Sequence, residues 1–290
     1  MPDADAGRER ACLVCDGALL PATRRRGLME CARCGFVTAG LELSEVELRR
    51  VYGRDYFHGL EYADYVAEAD SLKLNFERRL ATLGQFVGDA RGKRLFEIGC
   101  AYGFFLDVAR ARYGRAGGID ISADAVAYAR TTLGLDVSAG DYLEHEGAAG
   151  TDVFCLWDTI EHLRAPHEYV AKIAREITPG GHLAITTGDI GSLNARLRGR
   201  RWRMIHPPTH LHYFATDSLR RLLDRHGFDV VHVAHPGQAR TVKSILYISL
   251  ALKAGRPGLY KIAERLPGLG ISLTLNLFDI MYVIARRRPS

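Results

Sequence analysis

Two Cys-x-x-Cys pairs, Cys12-Leu13-Val14-Cys15 and Cys31-Ala32-Arg33-Cys34, limit what the start of this chain can fold into. Fifteen residues separate them. Four thiolates at that spacing can close a tetrahedral metal site, each pair gripping the ion from one short turn. Gly17 and Gly35 follow the pairs and suit tight turns. Two disulfides or four unrelated thiols are the alternatives. Four protein ligands leave no open position for water or substrate, so the spacing predicts a structural zinc on Cys12, Cys15, Cys31 and Cys34. The metal would staple a small ribbon-like element over residues 10–40, ahead of something larger.

The larger part opens near Lys93. Lys93-Arg94-Leu95-Phe96-Glu97-Ile98 has the content of a buried strand, and Gly99-Cys100-Ala101-Tyr102-Gly103 follows at once. Phe105, Val108, Ala109 and Arg112 then take up helical spacing. Strand, glycine turn and helix let backbone N–H groups approach a nucleotide-like ligand. A dinucleotide fingerprint wants a third glycine in register, which this turn lacks. About twenty residues on, Gly117-Gly118-Ile119-Asp120 ends a second strand, where an Asp can accept both hydroxyls of a ribose. Ser122 is placed to cap the next helix, with Val126, Ala129 and Leu133 on one face and Gly134 at its end.

Glu97-Ile98-Gly99-Cys100-Ala101-Tyr102-Gly103, Gly118-Ile119-Asp120-Ile121-Ser122, Gly140-Asp141-Tyr142 and Asp152-Val153-Phe154-Cys155-Leu156-Trp157-Asp158 occur in that order. They resemble the ordered motifs of class I S-adenosylmethionine-dependent methyltransferases, and Thr178-Pro179-Gly180-Gly181-His182-Leu183 resembles that family's turn before strand five. The resemblance covers roughly residues 80–235. It extends to a subgroup of sugar and secondary-metabolite methyltransferases with an N-terminal four-Cys element and a stretch such as Thr187-Gly188-Asp189 to His210-Leu211-His212-Tyr213-Phe214. Ala101 stands where the family usually has a second glycine.

The resemblance implies an α/β fold: a doubly wound, Rossmann-like seven-stranded sheet with its last strand antiparallel. It implies S-adenosylmethionine as cofactor. Glu97 would hold the cofactor's amino-acid end through water, with Gly99, Ala101 and Gly103 letting backbone pass close. Asp120 and Ile121 would meet the ribose, Asp141 and Tyr142 the adenine, and Trp157 would close the site at the end of strand four. Asp158, Glu161 and His162 follow that strand and would face the methyl group. The segment also resembles the Glu-x-x-Glu-His of ubiquinone-type O-methyltransferases, whose positions can hold a divalent cation; Asp158 stands where that pattern has a glutamate. General base, metal ligand and turn brace are three readings of His162, whose ordinary pKa of about 6.5 suits the first. His210 is the alternative base, on a segment expected to form a lid over the acceptor. Arg198, Arg200, Arg201 and Arg203 would clamp an anion or form a solvated loop face.

Composition fits an enzyme of one full domain with small additions: 290 residues, 47% hydrophobic and 25% charged, enough for a sizeable core. No stretch reaches the ~18 apolar residues of a membrane span. The polar first residues give no signal peptide. Cysteines read as zinc ligands or core residues suit the cytoplasm. The expected organisation is zinc element 10–40, helical lead-in 41–91, cofactor-binding core 92–241, apolar helical insertion 242–277, then a final strand and solvated basic tail over 278–290. Within the lead-in, Ser44 and Glu47 form a capping box, residues 52–57 an aromatic turn, and Leu72, Phe76, Leu80, Leu83 and Val87 the apolar face of a long helix.

The resulting expectation is methyl transfer to a small-molecule acceptor, at oxygen of a sugar, sugar nucleotide or secondary metabolite. A net charge of +5 would suit an anionic or nucleotide-linked acceptor. C-methylation of an activated sugar is the first alternative. A zinc-ribbon nucleic-acid-binding protein is the second, opposed by scattered basic residues and poor aromatic interleaving. An NAD-dependent reductase is the third, opposed by the missing glycine. A homo-oligomer is left open.

Overall fold

The computed structural model describes residues 11–41, 43–51, 64–266 and 268–289. The lead at residues 1–9 and the aromatic turn at 52–57 lie outside them. Both cysteine pairs fold into tight turns. The Asp16 N–H donates to the Cys12 carbonyl and the Gly35 N–H to the Cys31 carbonyl, both at 2.9 Å. Gly35 has φ +70°, which glycine adopts without Cβ strain. Strands β1 (Leu19–Pro21), β2 (Met29–Cys31) and β3 (Val37–Thr38) pair antiparallel behind the turns.

Helix α1 (Glu45–Val51) starts on the expected capping box: the Ser44 N–H donates to Glu47 Oε2 at 2.8 Å, and the Glu47 N–H to Ser44 Oγ at 3.3 Å. Helix α2 (Ala69–Val87) buries Phe76, Leu80, Leu83 and Val87 on one face. Strands β4 (Arg94–Ile98), β5 (Arg115–Asp120) and β6 (Asp136–Ala139) alternate with α3 (Phe104–Ala109) and α4 (Ala123–Thr131). Then come β7 (Thr151–Trp157), α5 (Pro166–Glu176), with Pro166 in its first turn, and β8 (Ile177–Gly188). Helix α6 (Leu193–Arg198) and strand β9 (His212–Tyr213) precede α7 (Thr216–Arg225) and β10 (Phe228–Ala234). Strand β11 (Gln238–Thr241), helix α8 (Val242–Leu246), a π-helical stretch over Tyr247–Lys253, α9 (Pro257–Ala263) and β12 (Ser272–Leu275) lead to β13 (Ile280–Arg287).

Seven strands form the main sheet in the order β10-β13-β8-β7-β4-β5-β6. β4 to β8 run parallel; β13 runs antiparallel to both neighbours, β8 and β10. This is the sheet that the motif order implies. β7 shows why it is doubly covered: Phe154 and Leu156 join the core on the α5 and α7 side, while Val153, Cys155 and Trp157 join the core under α2 and α3. A strand buried on both faces reads as a continuous apolar run. From β4 the chain winds one way through β5 and β6; β7 and β8 lie on the other side. A crevice therefore opens at the carboxyl ends of β4 and β7.

Three expectations need correction. Segment 242–277 is not helical throughout, because Ser272–Leu275 pairs antiparallel with β11. Arg286 and Arg287 belong to β13 instead of a solvated tail; Arg287 donates to the His226 and Gly227 carbonyls, and Arg288 pairs with Asp224 and Asp229. The expected lid is also anchored: β9 pairs with β3, making it the fourth strand of the cysteine element's sheet.

Candidate active site

The turn after β4 lies at the crevice. Gly99 and Gly103 have φ of +78° and +80°, and a Cβ on Gly99 would lie 2.6 Å from Thr159 Oγ1. Ala101 also lies in the left-handed region, at φ +46°, where a methyl group carries a conformational cost. Asp120 holds the turn in place: its Oδ2 accepts from the Ala101 N–H at 2.7 Å and its Oδ1 from the Ser122 N–H at 2.8 Å. Ser122 occupies the N-cap of α4, but its hydroxyl makes no capping bond.

A cleft of about 200 Å³ lies over the ends of β4, β5, β6 and β7. Gly99, Ala101, Asp120, Ile121, Asp141, Tyr142 and Trp157 line it, as expected of cofactor contacts. Two expected contacts do not. Gly103 caps α3 and faces Leu135 and Ala129, which leave no room for a Cβ. Glu97 lies beneath the turn, buried, with Oε2 making no hydrogen bond. Asp141 uses Oδ1 to accept from the Leu143 N–H at 2.8 Å and from the Tyr169 hydroxyl. The Tyr142 ring is buried, and its hydroxyl donates to Glu176 Oε2 at 2.6 Å.

Burial and the charge of Asp120 hold the Glu97 carboxyl well above its ordinary 4.5, against the pull of Arg79. The folded protein therefore keeps a proton that the unfolded chain releases near 4.5, and stability falls as pH rises from there through the raised value. Glu97→Gln, which stays neutral, is expected to flatten that fall. Urea midpoints measured from pH 5 to pH 8 check this; parallel curves for the two proteins would refute it.

Arg79 was missed by sequence reading. Only 6% of its side chain is exposed, and its Nη2 donates to Asp158 Oδ2 at 2.9 Å. Its guanidinium lies 5.4 Å from the Phe76 ring centre and 5.3 Å from that of Trp157. The signal was a basic residue in the apolar stripe of α2, one turn from Phe76 and Leu83. Asp158, expected at the methyl group, is thus engaged by Arg79 and sits at φ +51°.

Past Asp158, the loop after β7 turns inward. His162 donates from Nδ1 to the Thr209 carbonyl at 2.7 Å, and His210 from Nδ1 to the Met204 carbonyl at 2.8 Å. Their rings meet edge to face, 4.6 Å apart. Burial lowers His162 to about 4 and His210 well below its ordinary value, so both are neutral at pH 7. Glu161 is buried beside the Thr187 side chain. Burial, then the charge of Asp158, raises it to about 8. His212 stands apart from this group. It is bonded to Thr38 Oγ1 and the Arg164 carbonyl and packs on Phe36.

Asp158, Glu161, His162 and His210 line a second cavity together with Arg203 and Arg240, and Ile245, Ile248, Leu275 and Leu277 form its apolar wall. It shares Asp158, His162, Gln238 and Arg240 with the first cleft. Of the four arginines expected to clamp an anion, Arg203 is the one lining this cavity, while pairing with Asp279 at 2.8 Å.

The four N-terminal cysteines converge. Cys12 and Cys34 sulfurs are 3.5 Å apart, Cys15 and Cys31 sulfurs 3.6 Å, and all four lie within 4.8 Å of one another. Tetrahedral Zn–S bonds of ~2.3 Å place sulfurs about 3.8 Å apart. No disulfide joins them, and a Cβ on Gly17 would press on the sulfurs of Cys31 and Cys15. The donor set fits zinc.

Comparison with known proteins agrees with this geometry. A family described as a methyltransferase domain matches residues 72–233. The chain belongs to that family, within the class I S-adenosylmethionine-dependent methyltransferases. It is 32% identical over 117 residues to a ubiquinone biosynthesis O-methyltransferase from Alkalilimnicola ehrlichii, covering 38% of this chain and 47% of that protein. It is 24% identical over 182 residues to O-methyltransferase rstn1 of Aspergillus nomiae, covering 59% and 79%. The chain thus spans about half the length of the ubiquinone-pathway relative. In fold it is similar to an S-adenosylmethionine-dependent methyltransferase from Archaeoglobus fulgidus, with TM-score 0.51, 18% identity, and coverage of 80% of this chain and 97% of that one. Among the described residues no helix is long and apolar enough to cross a membrane.

Proposed function

We propose that this protein methylates an oxygen of a small-molecule acceptor bound in the second cavity, using S-adenosylmethionine held in the first. The observation that carries the reading is the meeting of the two cavities at Asp158 and His162. Asp120 would accept from the ribose, and the backbone of Asp141 and Tyr142 would border the adenine. Glu97, buried beneath the turn and outside the cleft lining, would reach the cofactor's amino-acid end through water. The cofactor supplies an activated methyl group, so the protein's task is to position the acceptor and take its proton. His162, neutral at pH 7, has the protonation state of a base. Arg203 and Arg240 would favour an anionic acceptor, and the apolar wall a hydrophobic body, so a nucleotide-linked sugar and an acidic secondary metabolite are the classes to try. The four-Cys element would carry structural zinc. Cysteines without disulfides suit a cytoplasmic location.

Thermal shifts with S-adenosylmethionine and with NAD test the cofactor. Stabilisation by the first alone is expected, and Asp120→Ala should weaken calorimetric affinity about tenfold or more. Stabilisation by NAD alone, or unchanged affinity in the variant, would overturn the assignment. Radiolabelled methyl transfer across the two acceptor classes tests the substrate.

A further inference from the structure

We propose that helix α9 and the segment around β12 form a docking surface for an anionic lipid bilayer, on which the protein lies without crossing it. The surface falls outside residues 72–233, which match the methyltransferase-domain family, and it stands apart from the functional reading above.

Three observations support it. The first is a β-ribbon with its apolar face turned out. Ile271-Ser272-Leu273-Thr274-Leu275-Asn276-Leu277 alternates strictly, which puts the four aliphatic side chains on one face of β12 and its continuation. In a half-buried antiparallel strand such a face packs on the core. Here the polar face holds the ribbon instead: Arg78 Nη1 donates to Thr274 Oγ1 at 3.0 Å, and Asn276 Nδ2 to the His235 carbonyl at 2.9 Å. The four aliphatic side chains remain 46% to 62% exposed. Leu275 and Leu277 also line the acceptor cavity, so the apolar face runs up to the edge of that cavity.

The second is Phe278, 68% exposed and held at φ +53°, where a bulky side chain is strained. Its N–H donates to Asn276 Oδ1 at 2.8 Å, which fixes the backbone there. An exposed phenyl ring is disfavoured in water and favoured at the boundary of headgroups and acyl chains. Helix α9 adds Leu259 and Ile262, both exposed, while Tyr260 between them turns inward onto the Tyr247 ring, 5.2 Å between centres. The third is charge. Residues 235–278 carry six basic residues and one acidic, an excess equal to the +5 of the whole chain. Arg256, Lys261 and Arg265 are exposed, and the single acid, Glu264, lies 3.9 Å from Lys243. Exposed apolar side chains flanked by Lys and Arg suit a surface that sits on anionic lipid. A second copy of the chain is the competing occupant, and two such basic surfaces would repel each other.

Cosedimentation of the full chain with vesicles tests the surface, comparing phosphatidylglycerol mixed with phosphatidylcholine against phosphatidylcholine alone. Binding to the anionic vesicles is expected to be tighter on the order of tenfold, and to weaken as salt rises. Lys261→Glu with Arg265→Glu should weaken it about tenfold or more, and so should Ile262→Ser with Leu273→Ser. Phe278→Asn separates docking from a structural role. Asparagine tolerates this backbone, so the melting temperature should hold or rise while vesicle affinity falls severalfold. Pelleting with neither vesicle, equal pelleting with both, or affinity indifferent to the serine and asparagine variants would overturn the proposal. Dimers formed without vesicles and lost in Leu273→Ser would overturn it in favour of the second copy. None of these readouts needs methyl transfer, so failure of the functional reading would show separately, as loss of cofactor binding.

Discussion

Cys31→Ser is expected to release the zinc, lower the melting temperature by roughly 10 °C, and cut methyl transfer at least tenfold while largely sparing S-adenosylmethionine affinity. In small zinc modules the metal-binding free energy is folding free energy, so losing one thiolate should unfold residues 12–40 locally. The damage should not stop there, because this module is continuous with the main core. Cys12, Val14, Cys31 and Phe36 share a cluster with Phe214, Leu219 and Leu222. Strand β3 pairs Val37 with Tyr213 and Thr38 with His212. Thr38 Oγ1 and the Ala39 N–H both donate to the Leu211 carbonyl, at 3.1 and 2.8 Å, while the Leu211 N–H donates to the Glu161 carbonyl at 2.9 Å. A chain of backbone bonds thus runs from the zinc element to the loop carrying Glu161 and His162, and His210 precedes its middle link. The cofactor cleft touches this chain at His162, but Gly99, Ala101, Asp120, Ile121 and Asp141, which line it, stand at the ends of β4, β5 and β6 and lie outside it. Zinc content, thermal unfolding and calorimetry with cofactor check the three parts. A variant that keeps its zinc and its melting temperature would show that the metal is not structural.

The same chain of bonds shows where sequence reading stopped. The order of the main sheet was legible because its signals are local. Glu97 to Gly103 is a strand end and its turn, Asp120 ends the next strand, and Val153 to Trp157 is a continuous apolar run. Each announces its own place, and the doubly wound topology links them. The cysteine turns were legible for the same reason: ligand spacing is a short-range property. The 206–214 segment reads as a lid because nothing in His210-Leu211-His212-Tyr213-Phe214 reveals a partner more than 170 residues earlier, at Val37 and Thr38. His210 and His212 look alike in sequence; distant neighbours send one to Glu161 and the other to Thr38. The β11–β12 pairing was hidden likewise. β12 is exposed along its length, so Ser272-Leu273-Thr274-Leu275 carries no burial pattern, and Asn75 on α2 fixes its partner through the Ala239 N–H and carbonyl, at 2.7 and 2.9 Å. Glu97 at the end of β4 and Gly103 in the turn after it fall where the sequence puts them, but sequence position does not say which side chains face the cleft.

Arg79→Met is expected to destabilise the fold by about 2 kcal/mol and to weaken S-adenosylmethionine binding about tenfold, with no acceptor needed to see either effect. Breaking a fully buried pair costs more, ~3–5 kcal/mol, but Asp158 is 41% exposed and recovers part of its hydration when Arg79 is removed. The methionine stem keeps the packing on Phe76 and Trp157 while losing the charge over both rings. Two further consequences follow from position. Asp158 sits at φ +51°, and the ion pair helps to hold it there while the next residue, Thr159, packs against Gly99 at the cofactor turn. Arg79 also supplies the positive charge that pulls against the rise at Glu97, so without it that carboxyl is driven further toward its protonated form. Asp158→Asn in the Arg79→Met background removes the unpaired charge and should recover part of the stability, giving a coupling energy of about 1 kcal/mol in a double-mutant cycle. Cofactor affinity should not recover to the same degree, because the Asp158–Thr159 turn against Gly99 still lacks its Arg79 anchor. Urea unfolding of the four proteins and calorimetry with S-adenosylmethionine measure the two quantities separately. If the two substitutions prove additive in stability and leave affinity unchanged, the pair is incidental, and the wall between the two cavities is held by apolar packing of Trp157 on Phe105 and Tyr282.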